Sequence, residues 1–124
     1  MKNTIYHNPN WSKSRKSVEI LEIENIDFDI IQYITNPPSE KDLKKICLKL
    51  NCQPKDIIRK GEKDYKENNI SKFLDNTNLL ITKMVQYPKI IERPIIVIGD
   101  KAVIGRPPEN IYNLIKKWII EYLQ

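Results

Sequence analysis

Asn3-Thr4-Ile5-Tyr6-His7-Asn8-Pro9-Asn10-Trp11-Ser12-Lys13-Ser14-Arg15-Lys16 is the stretch that decides the fold. A short apolar strand over 3–6 runs into a polar turn containing Pro9. A helical pattern over about 12–24 follows, with Val18 and Leu21 on its inner face. This strand–turn–helix puts Trp11 at or next to the helix N-terminus. There the unsatisfied backbone N–H groups and the positive end of the helix dipole favour an anion. The same field stabilises a thiolate, so a low-pKa cysteine would suit the position. This chain carries an indole there.

Outward from this unit, Phe28 and Ile30 alternate with Asp29, Ile31 and Tyr33, which predicts a second strand over 27–33. Two strands joined through a helix should be parallel, with a right-handed crossover. Thr35-Asn36-Pro37-Pro38 breaks the pattern. Ser39 then caps a helix over 39–50, with Asp42 at the third helical position as in a capping box. The stretch 54–74 is polar, with short helical turns around Pro54–Arg59 and Glu62–Glu67. A further helix over 75–86 shows Leu80, Met84 and Tyr87 on one face and Asp75 as cap.

Pro94-Ile95-Ile96-Val97-Ile98 is the most apolar strand and is expected to be central. Gly99-Asp100-Lys101 turns it back into a short strand over Ala102–Ile104, an antiparallel hairpin. Gly105-Arg106-Pro107-Pro108 leads into a terminal helix with proline near its first turn. Its apolar face is Ile111, Leu114, Ile115, Trp118, Ile119 and Tyr122. The order βαβ, helical middle, ββα is the thioredoxin-like order. It predicts an α/β fold: a four-stranded mixed sheet flanked by helices, with a helical insertion between the two halves, in one domain over 1–124.

The 124 residues suit one compact domain. The net charge of +5 comes mostly from lysines scattered among acids. Without clustering or interleaved aromatics, this is not a nucleic-acid surface. No apolar run approaches the roughly 20 residues of a membrane span, and the N-terminus has no extended apolar region of a signal peptide, so a cytoplasmic location is expected. One histidine and two cysteines are too few soft ligands for structural zinc, and no metal or bound cofactor is expected. Leu43, Ile46, Cys47 and Leu50 follow helical spacing. Cys47 therefore reads as a small core residue and Cys52 as filler of an apolar slot in the next turn.

Three arginines stand at element boundaries. Arg59 ends a helical turn, Arg93 precedes Pro94 at the start of the central strand, and Arg106 follows Gly105. A guanidinium fork suits a tetrahedral oxyanion, and boundary positions allow several to converge. Taken singly, each is an ordinary surface arginine.

Tyr6-His7-Asn8-Pro9-Asn10-Trp11-Ser12-Lys13-Ser14-Arg15, Tyr33 through Pro37-Pro38, Ile58-Arg59-Lys60, Pro88 through Glu92-Arg93-Pro94-Ile95 and Gly105-Arg106-Pro107-Pro108-Glu109 together resemble the glutaredoxin-coupled arsenate reductases, closest to their shorter branch. The resemblance spans nearly the whole chain. It implies that a cysteine at the position of Trp11 attacks arsenate, after which glutathione as co-substrate and glutaredoxin as partner release arsenite. It assigns oxyanion binding to Arg59, Arg93 and Arg106. It makes His7 a group that helps keep the nucleophile ionised and Ser14 a hydroxyl of the same turn, and it equates Arg93–Pro94 with a cis-proline bond. The departure is Trp11 itself, since indole offers no lone pair for attack and forms no mixed disulfide. The resemblance so read implies a pseudo-enzyme with a retained oxyanion site, in which the indole lies over the arginine-framed pocket and stacks on a guanidinium. An alternative is a non-catalytic binding module like the Spx-type regulators that contact RNA polymerase. The chain shares their Arg-Pro-Ile-Ile segment but lacks their Cys-x-x-Cys.

Overall fold

The structure is a computed structural model that describes residues 3–123. The chain divides into two compact units, 1–33 with 93–124, and 34–92.

The first unit is built on four short strands: β1 (Thr4–His7), β2 (Asp29–Gln32), β3 (Ile95–Ile98) and β4 (Lys101–Ile104). Their order across the sheet is β2-β1-β3-β4, with β1 parallel to β2 and both other pairings antiparallel. This is the expected four-stranded mixed sheet of a thioredoxin-like α/β fold. All four residues of β3 are buried, as its unbroken Ile-Ile-Val-Ile run requires of a central strand. β2 is an edge strand and shorter than the pattern suggests; Ile30 is left exposed and Tyr33, just past its end, is buried.

Two helices pack on one face of this sheet, α1 (Ser12–Ile23) and the terminal helix, here α5 (Asn110–Leu123). Ile20 and Leu21 from α1, and Ile111, Leu114 and Ile115 from α5, share a core with Ile5, Ile96 and Ile98. Val18 and Trp118 pack at the margin of that core. Ile119 departs from the expected stripe and is exposed. The side chain of Tyr122 lies outside the described residues. The hairpin turn is shorter than expected: Gly99-Asp100 alone makes it, because Gly99 accepts a φ of +61° and Lys101 already pairs with Ile98.

The second unit is helical: α2 (Glu40–Leu50), α3 (Lys63–Glu67) and α4 (Thr77–Gln86), with 3-10 turns at Pro54–Ile57, Ile70–Phe73 and Pro88–Ile90. Ser39 caps α2 as expected, its hydroxyl accepting from the Asp42 N–H at 3.0 Å. The cap of α4 is Asn76 rather than Asp75; its carboxamide oxygen accepts from the Leu79 N–H at 3.2 Å. Leu80, Ile81 and Met84 of α4 are buried, and α4 packs against α2 and all three 3-10 turns. No described helix is long and apolar enough to cross a membrane.

Gly105 closes the β3–β4 pairing beyond its last strand residues, donating its N–H to Pro94 O at 2.8 Å. A Cβ on this residue would sit 2.8 Å from Ser17 Oγ and 2.9 Å from Ile96 Cδ1 and Pro94 Cγ. Gly105→Ala should therefore lower stability by about 1–3 kcal/mol through overpacking. In urea this reads as an earlier midpoint at unchanged slope. A variant as stable as wild type would show that the site yields.

Candidate functional site: the indole–arginine turn

The sheet register assembles this site. Tyr6 pairs with Ile95, so the end of β1 leads to the start of β3. Ile95 pairs with Ile104, and Gly105 hydrogen-bonds Pro94. Arg93 and Arg106 are the residues that flank this last bond. Both arginines thus reach the sheet edge from which the chain leaves β1 toward α1. Both precede cis prolines, the expected Arg93–Pro94 bond and also Arg106–Pro107.

Trp11 is the N-cap residue of α1, with extended backbone (φ −106°, ψ 128°) and no side-chain capping bond to the helix. The turn before it is closed locally. Asn8 Oδ1 accepts from the Asn10 N–H at 3.0 Å, and the Trp11 N–H donates to Asn8 O at 3.0 Å. Asn and Pro suit such a turn because the carboxamide can mimic a backbone acceptor. Ser14 is fully buried one turn into α1, where its Oγ accepts from the Asn8 N–H at 3.4 Å. Arg15 Nη1 donates to Pro9 O at 2.9 Å and holds the other side of the turn.

Over this turn lie the two guanidinium groups. Arg93 Cζ stands 3.6 Å from the centroid of a Trp11 ring and Arg106 Cζ stands 5.6 Å from it. Arg93 is only 6 % exposed, whereas Arg106 is exposed. At such separations the ring quadrupole attracts each cation, by about 0.5–2 kcal/mol depending on desolvation.

His7 ends β1 and is buried, and its Nδ1 has no hydrogen-bond partner among the described residues. Burial and the nearby Arg15 charge hold its pKa below the usual imidazole value of 6.5. His7 is therefore neutral at neutral pH and adds no positive charge to the turn.

Arg59 belongs to the second unit. It follows the bridge between Ile58 and Ile91, its N–H donating to Ile90 O at 2.7 Å, and its side chain reaches Glu62 at 3.5 Å and Glu92 at 3.8 Å. The cysteines are also in this unit, at the C-terminal end of α2. Cys47 is buried, as its helical spacing predicts. Desolvation first, then the neighbouring Cys52 and Asp56, pushes its thiol up to about 12; burial and Asp56 raise Cys52 as well. Neither supplies a thiolate at neutral pH.

The first unit thus brings Trp11, His7, Ser14, Arg93 and Arg106 to one end of the sheet. Arg15, which braces the turn and depresses the histidine, was not among the residues picked out of the sequence. Its signal was present: a cation one helical turn after Trp11, within reach of the preceding loop.

The ArsC family profile matches residues 6–114. An arsenate reductase of Neisseria meningitidis (strain MC58) is 38% identical over 112 residues, covering 86% of this chain and 92% of its own length. One from Haemophilus influenzae is 37% identical over 116 residues, covering 90% and 97%. Among solved structures, an arsenate reductase from Vibrio cholerae superposes with a TM-score of 0.84 at 37% identity, covering 91% of this chain and 97% of that one.

The histidine sets a pH dependence. Its folded pKa is depressed, so below about 6.5 the unfolded chain binds the proton more readily than the folded one. Stability should be fully present above pH 6.5 and fall on acidification through the depressed folded value. His7→Gln should flatten that part of the profile in urea titrations. An equally steep slope in the variant would remove His7 as its source.

Proposed function

The chain belongs to the ArsC family, and from that premise we propose that it binds an oxyanion of the arsenate class without carrying out the family's reduction. The family reaction takes arsenate to arsenite with glutathione and glutaredoxin as reductants. It needs a sulfur nucleophile, and Trp11 stands where the resemblance puts that cysteine. Indole has neither the lone pair for attack on arsenic nor a sulfur to resolve a mixed disulfide.

The observation that carries the reading is the stack of Arg93 on Trp11, 3.6 Å apart, at the N-terminus of α1. Stacking occupies the face of a guanidinium. Its N–H donors lie in the plane, where a tetrahedral oxyanion accepts from them. The helix N-terminus adds backbone donors and a favourable dipole. Arg106 is the second cation of the site. The resemblance also names Arg59, which lies in the second unit and pairs there with Glu62 and Glu92. His7 and Ser14 shape the turn; without a thiolate beside it, a neutral imidazole has no nucleophile to keep ionised. One domain over 1–124 and a cytoplasmic setting, where glutathione is the abundant thiol, go with this reading.

Purified protein supplied with arsenate, glutathione and glutaredoxin should show no turnover above background, and measurable turnover would overturn the loss of reaction. Trp11→Cys should gain at least weak activity. A folded but inactive variant would show that the arginines no longer serve the chemistry. Millimolar arsenate or sulfate should stabilise the wild type by RT ln(1 + [L]/Kd), about 2.7 kcal/mol at a hundredfold excess over Kd. Arg93→Ala should abolish that gain. No anion-dependent stabilisation of the wild type would sink the oxyanion site.

A further inference from the structure

The end of α2 brings the two cysteines together by backbone geometry. Asn51 adopts the left-handed conformation, φ 56° and ψ 47°. Its N–H donates to Leu48 O at 3.1 Å, and the Cys52 N–H reaches back to Cys47 O at 3.0 Å. This pair of bonds is a Schellman closure, which returns the side chain beyond the left-handed residue onto one in the last helical turn. Two hydrophobic residues usually make that contact. Here both are thiols, neither in a disulfide, and each lies close enough to act on the other's ionisation. Cys47 is 5% exposed and Cys52 is half-buried, so one sulfur lies in the core and the other is reachable.

Neutral thiols at the negative end of a helix are poor nucleophiles. A fixed pair can still bind an electrophile that carries its own proton acceptor. Trivalent arsenic is soft, matches sulfur, and bears oxygen groups that leave as water. An arsenical that already carries one carbon substituent needs only a pair of sulfurs to complete its bonding.

We propose that Cys47 and Cys52 form a bidentate binding site for trivalent arsenic. With an arsenical of the form R–As=O, two As–S bonds form and the As=O bond breaks. The oxygen leaves as water with both thiol protons, and arsenic and sulfur keep their oxidation states. Cys52 engages first because it is the less buried of the two, and Cys47 closes the chelate. The site uses only the end of α2 and the turn after it, so it stands independently of the oxyanion reading.

The test uses the reduced full chain in native buffer with phenylarsine oxide, read by intact mass. One equivalent should add, survive excess glutathione as competing monothiol, and come off with 2,3-dimercaptopropanol. Cys52→Ala should need about a hundredfold more reagent for the same occupancy, since the effective concentration of the second sulfur is gone. Cys47→Ala should behave alike. Because Cys47 is a core residue, Cys52→Ala, checked for native circular dichroism, is the deciding variant. An unmodified wild type, or a Cys52→Ala adduct that resists glutathione as well as the wild type's, would overturn the site. Trp11→Ala should leave the adduct unchanged; loss of the adduct there would also overturn it.

Discussion

Ile96 pairs with Ile5 on one side and Val103 on the other, and this three-strand register is the constraint on which the first unit depends. Ile5 and Ile96 are fully inaccessible to solvent, and a one-residue slip of either strand would turn the wrong face to the core. The same register fixes what lies at the strand ends. β1 finishes at His7, β3 is entered through Arg93 and Pro94, and β4 leaves through Gly105 and Arg106. Side chains far apart in the chain are thereby delivered to the start of α1. The close fit of Gly105 against Ser17, Ile96 and Pro94 ties α1 to the same arrangement.

The electrostatics of that corner follow from its parts. A helix N-terminus and two guanidinium groups make it positive, while His7 is held neutral by burial and by Arg15. With a thiol at the N-cap, such a field would lower the thiol's pKa and ready it for attack. With an indole, the field attracts anions and the aromatic face is taken up by a buried arginine. The chain's actual thiols occupy the opposite setting, at the C-terminal end of α2 beside Asp56, where both are raised. Burial and the neighbouring charges, rather than the presence of sulfur, separate the two kinds of site. One setting would activate a lone thiol; the other leaves a pair of neutral thiols.

Within the second unit, order comes from α4. Its buried stripe of Leu80, Ile81 and Met84 lies against α2 and the three 3-10 turns, and Thr82 Oγ1 donates to Glu40 Oε1 at 2.6 Å. The polar stretch 54–74 carries no regular period because its segments are short: the 3-10 turns bury residues such as Ile57 and Ile70, and α3 buries none. Arg59 owes its place to a bridge between Ile58 and Ile91, more than thirty residues apart in the chain.

Residues 3–16 determined the strand–turn–helix and the placement of Trp11 at the N-cap of α1, because Asn8, Pro9 and Asn10 close that turn with bonds among near neighbours. The Ser39 cap, the buried run of β3 and the helical spacing of Cys47 were legible for the same local reason. Periodicity was less sure at the margins. It overextended β2, which is an edge strand with one exposed isoleucine, and it assigned the cap of α4 to Asp75 when the adjacent Asn76 makes the bond. Stacking of the indole on a guanidinium was expected, but that Arg93 is the partner, the approach of Arg106, the neutral state of His7 and the left-handed closure that turns Cys52 back toward Cys47 were decided only by the folded structure. Each depends on register, burial or a left-handed turn that brings together atoms the linear order keeps apart. Sequence pattern reports which face is apolar; it does not report which two side chains meet.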